Sequence, residues 1–248
     1  MSDEWIVGKN AVIEALKSER PVHKVWLLEG AKAHTMKQVV QQAKVNDALI
    51  QHVPKQKLDE LAGTKNHQGV VASVAAYDYA ELDQLFERAT QREEDPFFLI
   101  LDGVEDPHNL GSIMRTADAV GAHGIIIPKR RSAGLTQAVA KASTGAIEHV
   151  PVTRVTNISR TLADLKKRNM WIAGTDASAK QDYRQLDGDM PLGLVIGSEG
   201  KGMSRLVKES CDFLVTIPMV GHVTSLNASV AASLLMYEVY NKRYPIGK

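Results

Sequence analysis

The stretch Phe97-Phe98-Leu99-Ile100-Leu101 is a continuous run of large apolar residues, and it indicates the fold of the longer part of this 248-residue chain. A run without polar alternation is typical of a strand that is covered on both faces. Similar runs, mostly separated by helical patterns, lie at residues 124–127, 170–173, 192–196 and 213–217. This alternation predicts an α/β domain with a mostly parallel sheet and helices on both faces.

The residues before this domain predict a smaller α/β unit and a connector. In residues 1–76 the hydrophobic period alternates between that of helices and that of strands. It predicts helices at 10–18, 35–45 and 55–61, and strands at 24–28, 49–53 and 69–74. Residues 77–96 follow as an acidic, helical linker, so the expected organisation is 1–76, linker 77–96 and 97–248.

The net charge of +1 conceals an uneven distribution. Lys and Arg number 10 against 8 Asp and Glu in residues 1–76, 2 against 7 in 77–96, and 18 against 14 in 97–248. The linker is therefore acidic between two mildly basic domains, which suits a nucleic-acid partner. For the basic cluster 166–168, inside a helical pattern, solvated surface charge is favoured. For the cluster 129–131, RNA contact and solvated charge remain equally open.

Cysteine and apolar content exclude several classes of protein. The only cysteine, Cys211, excludes an internal disulfide and a cysteine-cluster metal site, and it fits a reducing cytoplasm. No apolar run approaches the roughly 20 residues that a membrane span needs, and the acidic start at residues 1–4 has no signal core. His108 and His222 lack a carboxylate-histidine metal spacing. We expect a cytoplasmic protein without a metal.

A glycine-rich loop, Gly197-Ser198-Glu199-Gly200-Lys201-Gly202-Met203, follows the fourth apolar run. It fits neither common phosphate signature, because Lys201 is not followed by Ser or Thr and Arg205 stands where a third Rossmann glycine belongs. Glu199 would repel a pyrophosphate but suits ribose hydroxyls or a cation. The loop therefore favours a non-phosphorylated cofactor.

Asp106 and Pro107 predict the start of a helix that continues to Val120. Its buried stripe is formed by Leu110, Ile113, Met114, Ala117 and Val120. Arg115 lies on the opposite, polar face. The pattern leaves Arg115 free to reach a ligand, although a surface ion pair is the usual role of a helix arginine.

Three segments occur in a set order, namely 102–118, 197–203, and 217–219 with 225–229. Together they resemble the motifs of the SpoU (TrmH) family, which belongs to the SPOUT class of S-adenosylmethionine-dependent RNA methyltransferases. The resemblance spans about residues 97 to 243. The front of the chain, from 7–12 to 67–70, resembles the substrate-binding domain of these enzymes, closest to members that methylate guanosine in 23S ribosomal RNA.

The resemblance implies an L30e-like RNA-binding first domain, a trefoil knot near the C-terminus of the second domain, and a homodimer. The implied activity is methylation of the ribose 2′-hydroxyl of a guanosine in 23S ribosomal RNA, with S-adenosylmethionine as methyl donor. The implied catalytic residues are Asn109, Arg115, Glu199, Ser225 and Asn227. The implied cofactor-binding residues are Thr175, Gly197, Glu199, Gly200, Ile217, Met219 and Leu226.

Several alternatives remain at this point. The same chemistry on transfer RNA, or a non-catalytic RNA-binding role in ribosome assembly, would use the same fold. The failed glycine spacing disfavours a nicotinamide-dependent enzyme. Glu199 could be an active-site group or a loop carboxylate that accepts hydrogen bonds from backbone N–H groups. Ser225 could be the N-cap of the helix that follows. The segment 67–69 is favoured as a turn over an RNA contact, and the acceptor of the hydroxyl proton stays open.

Overall fold

The computed structural model of the chain describes residues 4–17, 21–75 and 77–247. The chain divides into two compact units, Met1–Asp78 and Tyr79–Lys248. The acidic residues 1–3, the predicted helix end at residue 18 and the predicted domain boundary at residue 76 lie outside the described residues.

The first unit is a four-stranded sheet with three helices, and it contains every helix and strand that the sequence predicts there. The strand order is β1-β4-β2-β3, with β2 and β3 parallel and the other pairs antiparallel. The four-residue β1 was not predicted. The elements are β1 (Glu4–Val7), α1 (Lys9–Lys17), β2 (Val22–Leu28), α2 (Ala33–Val45), β3 (Leu49–Val53), α3 (Lys55–Ala62) and β4 (Val70–Val74).

The segment 67–69 is a turn, as the sequence favoured. His67 is buried, and its Nδ1 accepts a hydrogen bond of 3.0 Å from the backbone N–H of Gly69. Its Nε2 lies 2.9 Å from Oδ1 of Asp59. Gly69 has φ of 78°, a left-handed conformation that glycine adopts without strain. Both ring nitrogens of His67 are therefore committed within the unit.

The second unit is a seven-stranded parallel sheet in the order β7-β6-β5-β10-β8-β11-β9. Its strands are β5 (Phe97–Asp102), β6 (Gly124–Pro128), β7 (Val152–Val155), β8 (Trp171–Thr175), β9 (Gln181–Asp182), β10 (Leu192–Gly197) and β11 (Phe213–Thr216). Its helices are α4 (Leu82–Gln91), α5 (Pro107–Ala119), α6 (Gln137–Ser143), α7 (Ile158–Lys167), α8 (Arg205–Glu209) and α9 (Ala228–Arg243).

Helices cover both faces of this sheet. Phe98 and Ile100 of β5 belong to one buried cluster with residues of α4, α7 and α8. Alternate residues point to the opposite face, where the guanidinium of Arg243 in α9 lies 5.3 Å from the ring centre of Phe97. The predicted α/β class is thus confirmed, while the trefoil knot and the L30e-like character of the first unit stay predictions.

The acidic segment 77–96 is not a linker. Most of it belongs to the second unit, which begins at Tyr79. The side chain of Leu85 in α4 is fully buried, and a Cβ at Gly124 would lie 2.3 Å from its Cγ. The helix therefore packs so closely on β6 that only glycine fits there. The helical pattern already places Leu85 on an apolar face, but the acidic residues on the solvent side of α4 favoured a connector over a helix of the second unit.

The acidic residues of segment 79–96 belong to the second unit and offset its basic residues. Residues 79–248 carry 20 Lys and Arg against 20 Asp and Glu, so the unit is neutral rather than basic. Attraction of an anionic partner must therefore depend on local groups of cations instead of net charge.

Candidate active site

The C-terminal ends of the central strands bring the three sequence motifs to one edge of the sheet. Strand β10 pairs with β5 so that Gly197 lies beside Asp102, and β8 pairs with β11 so that Thr175 lies beside Val215. The segments that follow these strands therefore meet. Ligands of parallel α/β sheets bind at this edge.

Helix α5 begins where the sequence predicts. Oδ1 of Asp106 accepts a hydrogen bond of 2.8 Å from the backbone N–H of His108, and Pro107 is the first helical residue. All five residues of the predicted apolar stripe are buried. The helix presents Asn109, which is only 7% exposed, to the motif loops, whereas Arg115 is exposed.

The glycine-rich loop folds back tightly over the end of β10. The backbone N–H groups of Ser198 and Gly202 each donate to the carbonyl of the other residue, at 3.1 and 2.9 Å. A Cβ at Gly197 would lie 2.3 Å from the carbonyl carbon of Gly202, so the close approach requires glycine. Gly200, with φ of 76°, completes the turn. Glu199 consequently projects from a loop with a defined backbone.

Glu199 is the centre of a hydrogen-bond network that joins three distant segments. Its Oε1 accepts from Nδ2 of Asn109 at 3.1 Å and from the backbone N–H of Ala228 at 3.2 Å. Nδ2 of Asn227 also donates to this oxygen, and to Oδ1 of Asn109 at 3.0 Å. Oε2 of Glu199 has no hydrogen-bond partner among the described residues. One carboxylate oxygen is thus fixed by the protein and the other is available to a ligand.

Asn227, and not Ser225, caps helix α9. Oδ1 of Asn227 accepts from the backbone N–H groups of Ser229 and Val230 at 3.0 and 3.4 Å. The helix therefore begins at Ala228, two residues later than the apolar pattern predicts. Asn227 has two roles, because its oxygen caps the helix and its nitrogen donates to the Glu199 network. Ser225 is left exposed on the wall of a cavity.

This first cavity has a volume of about 930 Å³ and lies between the Glu199 loop and the segment 217–226. It is lined by all the residues that the resemblance assigns to the cofactor, together with Ser225. They are Thr175, Gly197, Glu199, Gly200, Ile217, Met219 and Leu226. Neither Asn109, Arg115 nor Asn227 lines it.

An ion pair on the wall of the first cavity was missed by sequence reasoning. Nζ of Lys208 lies 2.6 Å from Oδ2 of Asp176, whose Oδ1 accepts from the backbone N–H of Ser178 at 2.8 Å. Burial opposes ionisation of Asp176, but the hydrogen bonds from Lys208 and Ser178 prevail and hold its pKa below its ordinary value. The position of Asp176 directly after β8 was the available signal, since ligands of parallel α/β sheets bind beyond the C-terminal ends of the strands.

A second cavity, of about 1000 Å³, lies on the other side of the Glu199 loop. Asn109 and Glu199 line it, and so do Arg130 and Arg131 after β6. Glu199 borders both cavities. A group bound in one cavity can therefore meet a group bound in the other at Glu199.

Arg115 is not brought to this site within one chain. It lies six residues beyond Asn109 on α5, which is about 9 Å along the axis and on another face of the helix. It lines neither cavity and makes no hydrogen bond or ion pair with any described residue. Four of the five predicted catalytic residues, Asn109, Glu199, Ser225 and Asn227, thus border the cavities or the network, and the fifth stands apart.

Other reactive groups do not join the site. Burial raises the pKa of the Cys211 thiol to about 12, so this sulfur stays protonated at neutral pH. Across the described ranges, no group of three or more His, Cys, Asp or Glu residues is arranged to hold a metal ion. Nor does any described helix combine the length and apolar character that a membrane span requires.

Both units of the chain match known protein families. Residues 96–237 match the SpoU rRNA Methylase family, and residues 5–80 match the family described as RNA 2′-O ribose methyltransferase substrate binding. A protein of Bacillus subtilis (strain 168), assigned by name to the TrmH family of tRNA/rRNA methyltransferases, is 65% identical over 245 residues. The alignment covers 99% of this chain and 98% of that protein.

Two solved structures are also similar. The SpoU methyltransferase AviRb from Streptomyces viridochromogenes, crystallised with AdoMet, is 27% identical with a TM-score of 0.67, covering 97% of this chain and 90% of that one. The A. aeolicus TrmH/SpoU tRNA modifying enzyme is 30% identical with a TM-score of 0.56, covering 64% and 84%. The matches over both units define an RNA methyltransferase. The chain belongs to the SpoU rRNA Methylase family.

Proposed function

We propose that this protein transfers a methyl group from S-adenosylmethionine (AdoMet) to the ribose 2′-hydroxyl of a guanosine in 23S ribosomal RNA, and that it acts as a homodimer. The observation that carries the proposal is the Glu199 network, which holds one carboxylate at the boundary between two cavities. One cavity would take the methyl donor and the other the RNA.

The first cavity fits AdoMet in size and in chemistry. Its volume of about 930 Å³ lies within the range of small-molecule sites. The loop carries Glu199 where a phosphate-binding loop would be neutral or basic, which suits a ligand with positive charge and ribose hydroxyls. Asp176 adds a second carboxylate to the wall of this cavity, and its contacts with Lys208 and Ser178 favour the ionised form. When bound, AdoMet supplies a methyl group activated by a positively charged sulfur.

The residues of the chain then have to position the ribose hydroxyl and the cofactor. Asn109 and Asn227 fix Oε1 of Glu199, so the remaining oxygen, Oε2, can accept a hydrogen bond at a defined place. Positioning of this kind accounts for much of the rate of a two-substrate transfer. The exposed Arg115 would bind an RNA phosphate and polarise the hydroxyl, because a guanidinium donates hydrogen bonds and does not accept protons.

Helix α9 supports the proposed homodimer. Its outer side and the C-cap residue that follows it carry a set of exposed apolar and aromatic residues, which would be covered by a second copy. They are Val230, Leu234, Tyr237, Tyr240 and Tyr244. The variant Leu234→Glu/Tyr237→Glu should sediment as a monomer, whereas Trp171→Glu, at an exposed apolar residue of β8, should leave the mass unchanged. A monomeric wild-type protein would exclude the dimer.

The first unit favours ribosomal RNA over transfer RNA as the substrate. The tRNA modifying enzyme of A. aeolicus covers 64% of this chain, whereas residues 5–80 of this chain match a substrate-binding family of RNA 2′-O ribose methyltransferases. A protein lacking residues 1–78 should therefore still bind AdoMet but lose most activity on its RNA. Undiminished activity of the truncated protein would assign another role to the first unit.

Calorimetry tests the proposed cofactor. The purified protein should bind AdoMet and its demethylated product, and it should bind neither ATP nor NAD, because Glu199 disfavours phosphates. Glu199→Gln removes this charge and serves as the matched comparison. Binding of ATP without any response to AdoMet would overturn the proposal.

A further inference from the structure

Two clusters of basic residues in the second unit differ in their ion pairs. In the cluster 166–168, Lys166 lies 2.7 Å from Asp212, Lys167 2.9 Å from Asp164, and Arg168 2.6 Å from Asp83. Arg130 and Arg131 of the other cluster are exposed and form no ion pair with any described carboxylate. The two arginines, here called the arginine rim, line the second cavity.

The difference decides which cluster is available to a polyanion. A cation that is already paired must lose its partner before it contacts a phosphate, so its net gain from the contact is small. An unpaired guanidinium is free to form the two parallel hydrogen bonds that match a phosphate group. The arginine rim is thus available to an anion, whereas the cations of the cluster 166–168 are occupied by carboxylates of the chain itself.

The position of the arginine rim is fixed by the turn that carries it. The backbone N–H of Lys129 donates to the carbonyl of Val155 at 2.8 Å, and that of Ala133 donates to the carbonyl of Val104 at 2.9 Å. Between them, Oγ of Ser132 donates to the carbonyl of Pro128 at 2.5 Å. A rim held on both sides by neighbouring segments loses little backbone freedom when a ligand binds.

The second cavity is also lined by carboxylates. Oδ2 of Asp102 accepts from the backbone N–H of Ser204 at 2.7 Å, and Asp106 caps α5. Glu105 also lines the cavity. A cavity lined by both cations and hydrogen-bond acceptors suits a nucleotide, since its phosphates are anionic while its sugar hydroxyls and base amino groups donate. A simple polyanion without donors would fit less well.

We propose that Arg130 and Arg131 bind phosphates of the RNA strand next to the nucleotide that is methylated, with the second cavity receiving that nucleotide. The inference rests on the proposed function, because it takes RNA as the substrate. The cavity reaches Asn109 and Glu199, so a strand held at the arginine rim has its neighbouring ribose within the same enclosure as the network.

Arg131 allows the charge to be removed without disturbing the turn. Its φ of 57° lies in the left-handed region, where an arginine is strained and a glycine is not. Arg131→Gly should therefore keep or raise the thermal stability while it removes the guanidinium. The test variant is Arg130→Ala/Arg131→Gly, the charge-conserving comparison is Arg130→Lys/Arg131→Lys, and the matched control is Lys166→Ala/Lys167→Ala.

The measurement is the affinity for an in vitro transcript of 23S ribosomal RNA as a function of KCl concentration. The test variant should bind at least about tenfold more weakly. The slope of log affinity against log KCl concentration should become shallower by the amount expected for the loss of about two phosphate contacts. KM for RNA should rise while AdoMet affinity is unchanged. The lysine pair should restore part of the affinity but less than wild type, because it lacks the planar fork, and the control should match wild type.

The outcomes separate this inference from the proposed function. If wild-type protein methylates the transcript and the test variant has the same RNA affinity and salt dependence, the arginine rim does not bind RNA. An equal loss in the control would also contradict the inference, since it would show only a general charge effect. If wild-type protein transfers no methyl group to ribosomal or transfer RNA, the proposed function fails. The RNA affinities of wild type and test variant then still show whether the arginine rim binds RNA.

Discussion

The Glu199 network and Arg115 are two parts of one predicted site, but they differ in their contacts with the rest of the chain. Glu199, Asn109 and Asn227 come from three separate segments and are joined by hydrogen bonds within the chain. Arg115 makes no such bond with a described residue and is exposed. The chain therefore positions the Glu199 network by itself, and we propose that Arg115 acts only when RNA or a second chain is present.

The largest loss of methyl transfer is expected when Arg115 is replaced. Arg115→Ala should reduce methyl transfer by at least about a hundredfold, because the guanidinium proposed to bind the RNA phosphate and polarise the hydroxyl is lost. Thermal stability and AdoMet affinity should stay at the wild-type level, since the side chain makes no hydrogen bond or ion pair with a described residue and lines neither cavity. Single-turnover kinetics and calorimetry measure the two effects. Turnover near wild type would make Arg115 a surface residue.

Glu199→Ala should affect both folding and activity. The buried amide of Asn109 would lose its acceptor, which costs about 1–3 kcal/mol of unfolding free energy. Methyl transfer should fall as well, because the carboxylate at the boundary of the two cavities is gone. Glu199→Gln, which retains an acceptor oxygen, should recover most of the stability but not the activity. Urea unfolding and methylation assays on both variants compare the roles; unchanged stability of the alanine variant would contradict the network.

Asn227 allows its two functions to be separated. Asn227→Ala should cost about 1 kcal/mol through loss of the helix cap, which lowers Tm by about 2–4 °C for a unit of this size. Asn227→Ser keeps a capping oxygen but removes the nitrogen that donates to Glu199. We expect the serine variant to regain stability and to remain impaired in methyl transfer. Equal activity of the serine variant and wild type would show that the amide donor is dispensable.

A smaller effect of pH arises outside both regions, at His123. Its Nδ1 accepts from the backbone N–H of Phe97, its Nε2 lies 3.0 Å from Glu94, and burial lowers its pKa to about 4 although Glu94 opposes the shift. Between its ordinary pKa of 6.5 and 4, the unfolded chain binds the proton and the folded chain does not, so stability falls as pH falls.

Lowering the pH from 7.5 to 6 should therefore cost roughly 1 kcal/mol of unfolding free energy. His123→Asn should flatten this dependence, and Arg115→Ala should leave it unchanged. Urea unfolding at the two pH values measures it. A stability that rises on acidification would contradict the assignment of a buried, neutral His123.

The sequence predicted the elements with strong periodicity and missed those defined by tertiary contacts. Strand β5 and the start of α5 were predicted from an apolar run and an Asp-Pro pair, which are local signals. The burial of Leu85 against Gly124 was not, because it depends on packing between segments far apart in the chain. The acidic residues of α4 therefore suggested a linker.

The same distinction applies to the site. Spacing identified Glu199 as unsuited to phosphate and Arg115 as exposed, but no local pattern links Glu199 to Asn109, which is 90 residues away. The expectation that Glu199 and Asn109 belong to one site came from the resemblance alone. Asn227 was expected to act at the site, but its capping role was assigned to Ser225, because the apolar pattern of α9 begins at Leu226 while the hydrogen bonds begin at Asn227.

If this chain methylates a guanosine ribose in 23S ribosomal RNA, as we propose, the modification depends on its gene. Mass spectrometry of nucleosides from ribosomal and transfer RNA, purified from cells with and without the gene, measures this dependence. One 2′-O-methylguanosine of 23S ribosomal RNA should disappear without the gene and return with the wild-type gene but not with Arg115→Ala. Loss of a methylated nucleoside from transfer RNA alone, or no loss from either RNA, would contradict the proposal.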